Sequence, residues 1–259
     1  VAHLFIFGLG YTASYIKAAA EGHGWLVSAT GSAGNVAFED DAAVRAHLAR
    51  ASHVLSSVPP SGGDDPVLAR YGAELPRNRW IGYLSSTGVY GDTGGAWVDE
   101  TAPTGTGRRA LRAACDAQWL AHGAHVFRLP GIYGPGRSVI ERLRAGTAHR
   151  VDMPGQVFSR VHVADIVSGV IAGFAGPPGA YNLADDCPAS QNEVMDYAAR
   201  LLGIEPPPIL PADSPALSPA ARAFYSENRR IANGRARRLL GWRPRYRDYR
   251  IGLMALARG

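Results

Sequence analysis

The run LFIFGLGYTASYIKAAAEG, residues 4–22, limits what this chain can fold into more than any other segment. Leu4 to Phe7 is a short unbroken apolar stretch, the signature of a buried parallel strand. It ends at Gly8-Leu9-Gly10-Tyr11-Thr12-Ala13, and an alanine-rich helical stretch from Ala13 to Ala20 follows, stopping near Gly22 and Gly24. A GxGxxA turn between strand and helix is the arrangement that holds a dinucleotide. Gly8 permits the tight turn, Gly10 lets a pyrophosphate approach the backbone, and Ala13 allows close helix packing. Phosphate oxygens would then face Leu9, Gly10, Tyr11 and Thr12 at the helix N-terminus. A purely structural strand–helix turn is the alternative.

The next strand, Trp25 to Ala29, should end at the residue that sorts NAD from NADP: an acid for a free ribose hydroxyl, an arginine for a 2′-phosphate. This chain has Thr30, Gly31 and Ser32 there. Lack of the acid favours NADP, with Thr30 and Ser32 as hydroxyl donors, and lack of arginine keeps NAD open. Val36 to Phe38 reads as a third strand, with Asp40 beyond it as an adenine-side contact at best. The interval from Thr30 to Val36 is too short for an ordinary parallel crossover of about a dozen residues. Either the crossover is helix-free, or residues are missing around 31–36, and a chain beginning at Val1 permits that. His53 to Val58 is then strand four, with Ser57 and Val58 beside the cofactor before Pro59-Pro60. A helix is expected around Val67 to Leu75.

Composition excludes little but fixes two points. At 259 residues, 46% hydrophobic and 19% charged, the chain suits one large domain or a sheet domain with an appendage. It has no run near the ~18 apolar residues of a membrane span and no charged-then-apolar leader pattern. Cys115 and Cys187 lie outside any CxxC spacing and read as thiols of a reducing, cytoplasmic setting. Arg222 to Arg250 holds ten arginines against Glu227 and Asp248, which favours an anionic ligand or a solvated helix face. No nucleic-acid motif accompanies them, and no residue cluster has metal-ligand spacing. There is one lysine, Lys17.

The stretch YLSSTGVYGDTGGAWVDE, residues 83–100, puts hydroxyls at the carboxyl end of an apolar strand, Trp80 to Leu84, where open α/β sheets bind ligands. Taken in order, GLGYTA, LSSTGVYGD, RLPGIYGPG, RVHVADIV, YNLADD and LLGWRP resemble the extended short-chain dehydrogenase/reductase family of NAD-dependent epimerases and dehydratases. The resemblance covers nearly the whole chain. It implies a Rossmann-type doubly wound parallel sheet over residues 1–157. Residues 158–259 would be mainly a smaller C-terminal α/β substrate region, with some elements returning to the core.

The family's chemistry uses a serine or threonine that hydrogen-bonds the substrate oxygen, a tyrosine that carries the proton, and a lysine one helical turn later. The resemblance makes Ser86 the catalytic hydroxyl, with Thr87 beside it and Ser85 on the cofactor. The expected helix spans Arg108 to Leu120, with Leu111, Cys115, Gln118 and Trp119 as its inner stripe. Arg112 stands in the lysine slot and Arg108 in the tyrosine slot, so the usual pair is absent. Arg112 can bind the ribose, but a guanidinium does not release its proton. Tyr90, Tyr133 and His162 are the substitutes for the phenol, His162 reading first as a structural histidine.

By the same resemblance Pro130, Gly131 and Ile132 border the nicotinamide, while Tyr133, Arg160, Tyr225 and Arg229 meet the substrate. Two departures weigh against a nucleotide sugar: Gly131 stands where many such enzymes have asparagine, and Phe158 where the family often has arginine. Arg160, two residues on, would compensate. Ser190 to Glu193 is a capping box opening a helix that stops at Gly203, and Glu205 to Pro219 reads as an irregular segment able to cover the cleft. The sequence thus points to an NAD(P)-dependent oxidoreductase or epimerase/dehydratase-like protein with an atypical site, acting on a small polar, anionic substrate. A catalytically silent NAD(P)-binding sensor or assembly protein is the alternative. Neither nucleic acid nor membrane is an expected partner, and a homodimer remains open.

Overall fold

Alternation along the first strand sets the layers. In β1 (His3–Phe7), Leu4 and Ile6 join one buried cluster while Phe5 and Phe7 join another, as side chains of a two-residue repeat must. The computed structural model describes residues 1–75, 79–107, 109–219, 222 and 225–258. After β1 come α1 (Tyr11–Gly22), β2 (Leu26–Ala29), α2 (Asp41–Arg50), β3 (His53–Ser56), α3 (Pro66–Tyr71) and β4 (Trp80–Ser86). Then follow β5 (Trp97–Val98), α4 (Ala110–Ala121), β6 (His125–Leu129), β7 (Gly131–Tyr133), α5 (Val139–Arg144) and β8 (Arg150–Val151). The chain continues with β9 (Arg160–His162), α6 (Val163–Gly173), β10 (Gly179–Asn182), α7 (Gln191–Leu202), β11 (Ile209–Leu210) and β12 (Arg230–Ile231). Two helices, Gly234–Leu239 and Tyr249–Arg258, close it.

Six strands form one wholly parallel sheet in the order β10-β6-β4-β3-β1-β2. The chain leaves β1 toward β2 on one side and returns through α2 to β3 on the other. That reversal opens a crevice at the carboxyl ends of β1 and β3. Ile16 and Ala20 of α1 share a core with Ile166 and Val170 of α6 on one face. Val44 and Leu48 of α2, Tyr71 and Trp119 cover the other. This is a Rossmann-type doubly wound α/β fold. A third core joins Val139, Ile140, Met195, Tyr249 and Leu253, away from the main sheet.

The short crossover after β2 is helix-free, and Val36–Phe38 is not a strand. The Val36 amide returns to the Ala29 carbonyl at 3.0 Å and Asn35 Oδ1 accepts from the Ala29 amide at 2.9 Å, so the chain folds back on β2. Tyr71 then donates its hydroxyl proton to the Phe38 carbonyl at 2.5 Å. Asp40 caps α2 through the Ala43 amide, 3.0 Å away, and is no cleft residue. The helix expected to Leu75 ends earlier, at Tyr71, and tightens into a 3₁₀ turn over Gly72–Glu74. In α4 the inner face is Ala113, Cys115, Asp116 and Trp119, while Leu111 and Gln118 are exposed. Its expected first residue, Arg108, lies outside the described residues. The Ser190–Glu193 capping box is present as read.

Candidate functional site

The crevice begins at the glycine turn. Gly8 has φ +83°, and a Cβ there would lie 2.9 Å from Val58 Cγ2, so Gly8 and Val58 are matched by packing. The Gly8 amide donates to Thr30 Oγ1 at 3.0 Å, the Leu9 amide to the Thr30 carbonyl at 2.8 Å, and Ser57 Oγ donates to the Gly8 carbonyl at 2.7 Å. Thr30 is therefore buried as a brace for the turn, with its side chain away from the cleft, and Ser32 is exposed outside it. Gly10 differs from Gly8. It caps α1 in extended conformation, and an added Cβ would meet no protein atom within 4 Å. The fold itself does not require glycine there. The first helical bond of α1 runs from Ser14 to Gly10 at 2.9 Å, so Tyr11, Thr12 and Ala13 present amides without helical acceptors.

A cavity of about 460 Å³ runs from Gly10, Tyr11 and Thr12, past Ser57, to Ser85, Ser86, Thr87 and Arg112, and on to Pro130, Gly131, Ile132 and Arg229. β4 delivers the hydroxyls because Ser85 and Ser86 are its last residues, and Pro130 ends the β6 ladder where its missing N–H costs nothing. Ser86 caps the 3₁₀ turn Thr87–Tyr90: its Oγ accepts from the Gly88 amide at 3.1 Å, and its own proton has no acceptor among the described residues. Ser85 is directed elsewhere, donating to Asp116 Oδ2 at 2.6 Å. Arg112 is half-buried and gives one N–H to the Tyr83 hydroxyl at 2.9 Å.

Tyr90 does not line the cavity. It is 2% exposed, its hydroxyl donates to Asn182 Oδ1 at 2.8 Å and accepts from Arg128 at 3.0 Å, and burial pushes its pKa up to about 12. A phenol so held cannot stand in for the missing tyrosine. Tyr133 is also buried, edge-on to His162 at 5.1 Å, with burial driving its pKa far up. His162 caps α6 through the Ala164 amide, and burial, then Arg245, pulls its pKa down to about 4. Of the residues expected on substrate, Arg229 lines this cavity while bonded to Glu227 at 2.9 Å and to the Gly91 carbonyl at 2.5 Å. Tyr133, Arg160 and Tyr225 instead line an adjoining cavity. No residue of 205–219 lines either one.

Four polar lining residues escaped the sequence reading: Arg109, Arg137, Ser159 and Glu227. Arg109 lies over Gly88, where an added Cβ would come within 2.3 Å of its Cδ. Arg137 lies over the Tyr11 ring at 5.4 Å, and Tyr11 donates its hydroxyl proton to the Pro135 carbonyl at 3.0 Å. Only proximity to α4 and to the GPG turn marks the two arginines in sequence. With Arg109, Arg112, Arg137 and Arg229 against Glu227 alone, the lining favours anions.

Fold and cleft together define a Rossmann-type α/β protein whose main cleft lies across the carboxyl ends of its central strands. No family model matches the chain. A functionally unknown conserved protein from Silicibacter pomeroyi is 42% identical, with TM-score 0.87 over 99% of this chain and 98% of that one. A human epimerase family protein solved with NADPH has TM-score 0.78 at 14% identity, covering 99% of each chain. A Thermotoga maritima UDP-glucose 4-epimerase solved with UDP-glucose has TM-score 0.79 at 15% identity, covering 99% of this chain and 97% of that one. Among curated proteins, a Streptomyces 3-diazoavenalumate denitrifying reductase is 33% identical over 140 residues, 49% of this chain and 45% of its own length. Protein YeeZ of Escherichia coli K12 is 31% identical over 144 residues, 51% of this chain and 48% of its own. The chain spans about half the length of these curated relatives. The solved epimerases share this Rossmann-type fold along the whole chain, and the sequence of this chain contains no tyrosine–lysine pair of Y-x-x-x-K spacing.

Proposed function

We propose that this protein is an NAD(P)-dependent oxidoreductase or epimerase/dehydratase-like enzyme acting on a small, polar, anionic substrate through Ser86. The observation that carries the reading is one continuous cavity with the open Gly10 turn at one end and the unspent Ser86 proton at the other. The free amides of Tyr11 and Thr12 would take the pyrophosphate, with Gly8, Leu9 and Gly10 shaping the turn and Ser57 and Val58 behind it. Pro130, Gly131 and Ile132 would border the nicotinamide, and Arg112 the adjoining ribose. When bound, that ring supplies or accepts a hydride. Ser86 donates its hydrogen bond to the substrate oxygen and so polarises it, with Thr87 alongside. A water molecule delivers the proton, because Tyr90, Tyr133 and His162 are all turned into the interior. The arginines of the lining hold the substrate's negative charge, and a nucleotide sugar is one such anion. The absence of an acid after β2 leaves room for a 2′-phosphate, which supports NADP. The reductase name of one curated relative and the NADPH in one similar structure agree with hydride chemistry.

The burial of every candidate phenol also favours a second reading, a catalytically silent dinucleotide-binding sensor or assembly protein. Deuteride transfer from labelled NADPH and NADH into a panel of carbonyl compounds and nucleotide sugars separates the two. Transfer lost in Ser86→Ala is the expected result. Dinucleotide binding without transfer to any panel member would instead support the silent protein, and failure to bind either dinucleotide would remove both readings.

A further inference from the structure

The adjoining cavity, about 560 Å³, has walls of another chemistry. Phe158 and Tyr225, ring centroids 5.7 Å apart, form an aromatic side. Val139, Val194 and Leu253 form an aliphatic one. The cavity meets the first at Gly131, Ile132, Arg137, Phe158 and Ser159. Several of its neutral polar groups are already engaged, while the Tyr133 hydroxyl has no hydrogen-bond partner among the described residues. Ser138 donates to Glu141, Ser159 Oγ accepts from the Ile231 amide at 2.9 Å, and Gln191 Oε1 accepts from Arg160 at 3.2 Å.

Its charges are unbalanced. Glu141, the one acid in the lining, also accepts from the Gly136 amide at 3.2 Å. Arg142 is exposed at the cavity and has no ion pair among the described residues. Arg160 is 7% exposed, and its partners are the carbonyls of Phe158, Ala189 and Ser190 and the Gln191 amide, all neutral. Asp185, the carboxyl acting most on Arg160, makes no ion pair with it, and burial pushes the Asp185 pKa up to about 8. Arg160 makes no ion pair among the described residues, so only the more distant Asp185 and Glu193 act on its buried charge, and an anionic ligand would bring a nearer partner. The Tyr225 phenol feels both Arg142 and Arg160, so the two cations converge on the aromatic wall.

We propose that this cavity binds an aromatic carboxylic acid, its ring between the Phe158–Tyr225 wall and the aliphatic side, its carboxylate toward Arg142 in the field of Arg160. The other end of the molecule would extend past Gly131 and Ser159 toward Ser86. This deepens the preceding proposal by naming the substrate class, and rests on it only for what happens at that end. A nucleotide sugar is disfavoured here because Phe158, Val139, Val194 and Leu253 offer its many hydroxyl and base edges no hydrogen bonds.

Calorimetric titration tests it with trans-cinnamate, cinnamamide, hexanoate and UDP-glucose. Cinnamate should bind about tenfold tighter than the uncharged amide, as one charge-assisted contact implies, and tighter than the aliphatic acid. Arg142→Gln, an exposed position, should weaken cinnamate about tenfold and leave NADPH affinity unchanged. Val194→Trp, with its fold checked by circular dichroism, should fill the cavity and abolish cinnamate binding. UDP-glucose binding more tightly than cinnamate, no binding of cinnamate, or cinnamate binding indifferent to Arg142→Gln would each overturn the proposal. NADPH and NADH titrated alone keep the two claims apart: dinucleotide failure with cinnamate bound as expected defeats the enzyme reading and leaves the pocket standing.

Discussion

Arg128 grips Asp116 with two prongs, Nη2 to Oδ1 at 2.7 Å and Nε to Oδ2 at 3.1 Å, beside Ser85 at the cleft. Their side chains are 4% and 2% exposed. The remaining guanidinium reach goes to the Tyr90 hydroxyl, which bonds Asn182, so one polar chain crosses from α4 through β6 to β10. This chain, rather than any catalytic role, accounts for where Tyr90 points.

Removing the acid should therefore be far worse than removing the serine that touches it. Asp116→Ala leaves Arg128 charged, buried and unpaired, and is expected to lose about 3–5 kcal/mol of stability. Ser85→Ala deletes one bond to a charged oxygen and should lose about 1–3 kcal/mol. Urea unfolding of both variants ranks them; equal losses would mean the pair is not the centre of the chain.

The two glycines of the turn should separate folding from binding. Gly8→Ala forces a side chain into positive φ against Val58, and an unfolding-midpoint measurement should record a loss of about 1 kcal/mol or more. Gly10→Ala meets open space in extended backbone, so stability should stay within about 0.5 kcal/mol while NADPH affinity falls in titration. If Gly10→Ala binds as tightly as the parent protein, no phosphate approaches that backbone.

The contrast shows what sequence makes legible. Strand, turn and helix at residues 3–22 follow from local pattern, because glycine, apolar run and alanine-rich helix all lie within one window. The Ser190 capping box is equally local. Val36–Phe38 misleads since an apolar triplet becomes a strand only along a partner, and here Val36 alone of the three bonds back to the edge strand β2. Tyr90 misleads similarly: its direction depends on Arg128 and Asn182, 38 and 92 residues away. Arg137, Ser159 and Glu227 reach the cleft from segments that only tertiary packing brings to β4. The order of motifs identifies the sheet; side-chain directions at the cleft are set by contacts distant in the chain.

Asp185 should make the protein less stable as pH rises. Its pKa, ordinarily 3.8, is pushed to about 8 by burial, so between those values the folded state binds more protons than the unfolded one. Stability from this group is fully present below about pH 4 and declines up to about pH 8. Asp185→Asn keeps an acceptor for the Cys187 amide and removes the titration. Unfolding free energies at pH 6.5 and 8 should differ less in Asp185→Asn than in the parent protein; an unchanged difference would show that the carboxyl ionises freely.

His53 should impose the opposite slope on the acid side. It opens β3 with its ring against Trp25, Phe174 and Trp80, at centroid distances of 4.5, 4.7 and 5.6 Å. Burial, and then His125, pulls its pKa from 6.5 down to about 4. Between those values the unfolded chain holds a proton that the folded state rejects, so stability is lost as pH falls from about 6.5 to 4. His162 titrates in the same window, through burial and Arg245, and adds to the loss. His53→Phe keeps an aromatic ring in the stack and cannot be protonated, so its unfolding free energy should fall less between pH 6.5 and 4.5 than that of the parent protein. The same comparison made in Asp185→Asn isolates the histidines, since the carboxyl opposes them across that range. A His53→Phe profile parallel to the parent's would place the ring in water, outside the Trp25–Phe174–Trp80 stack.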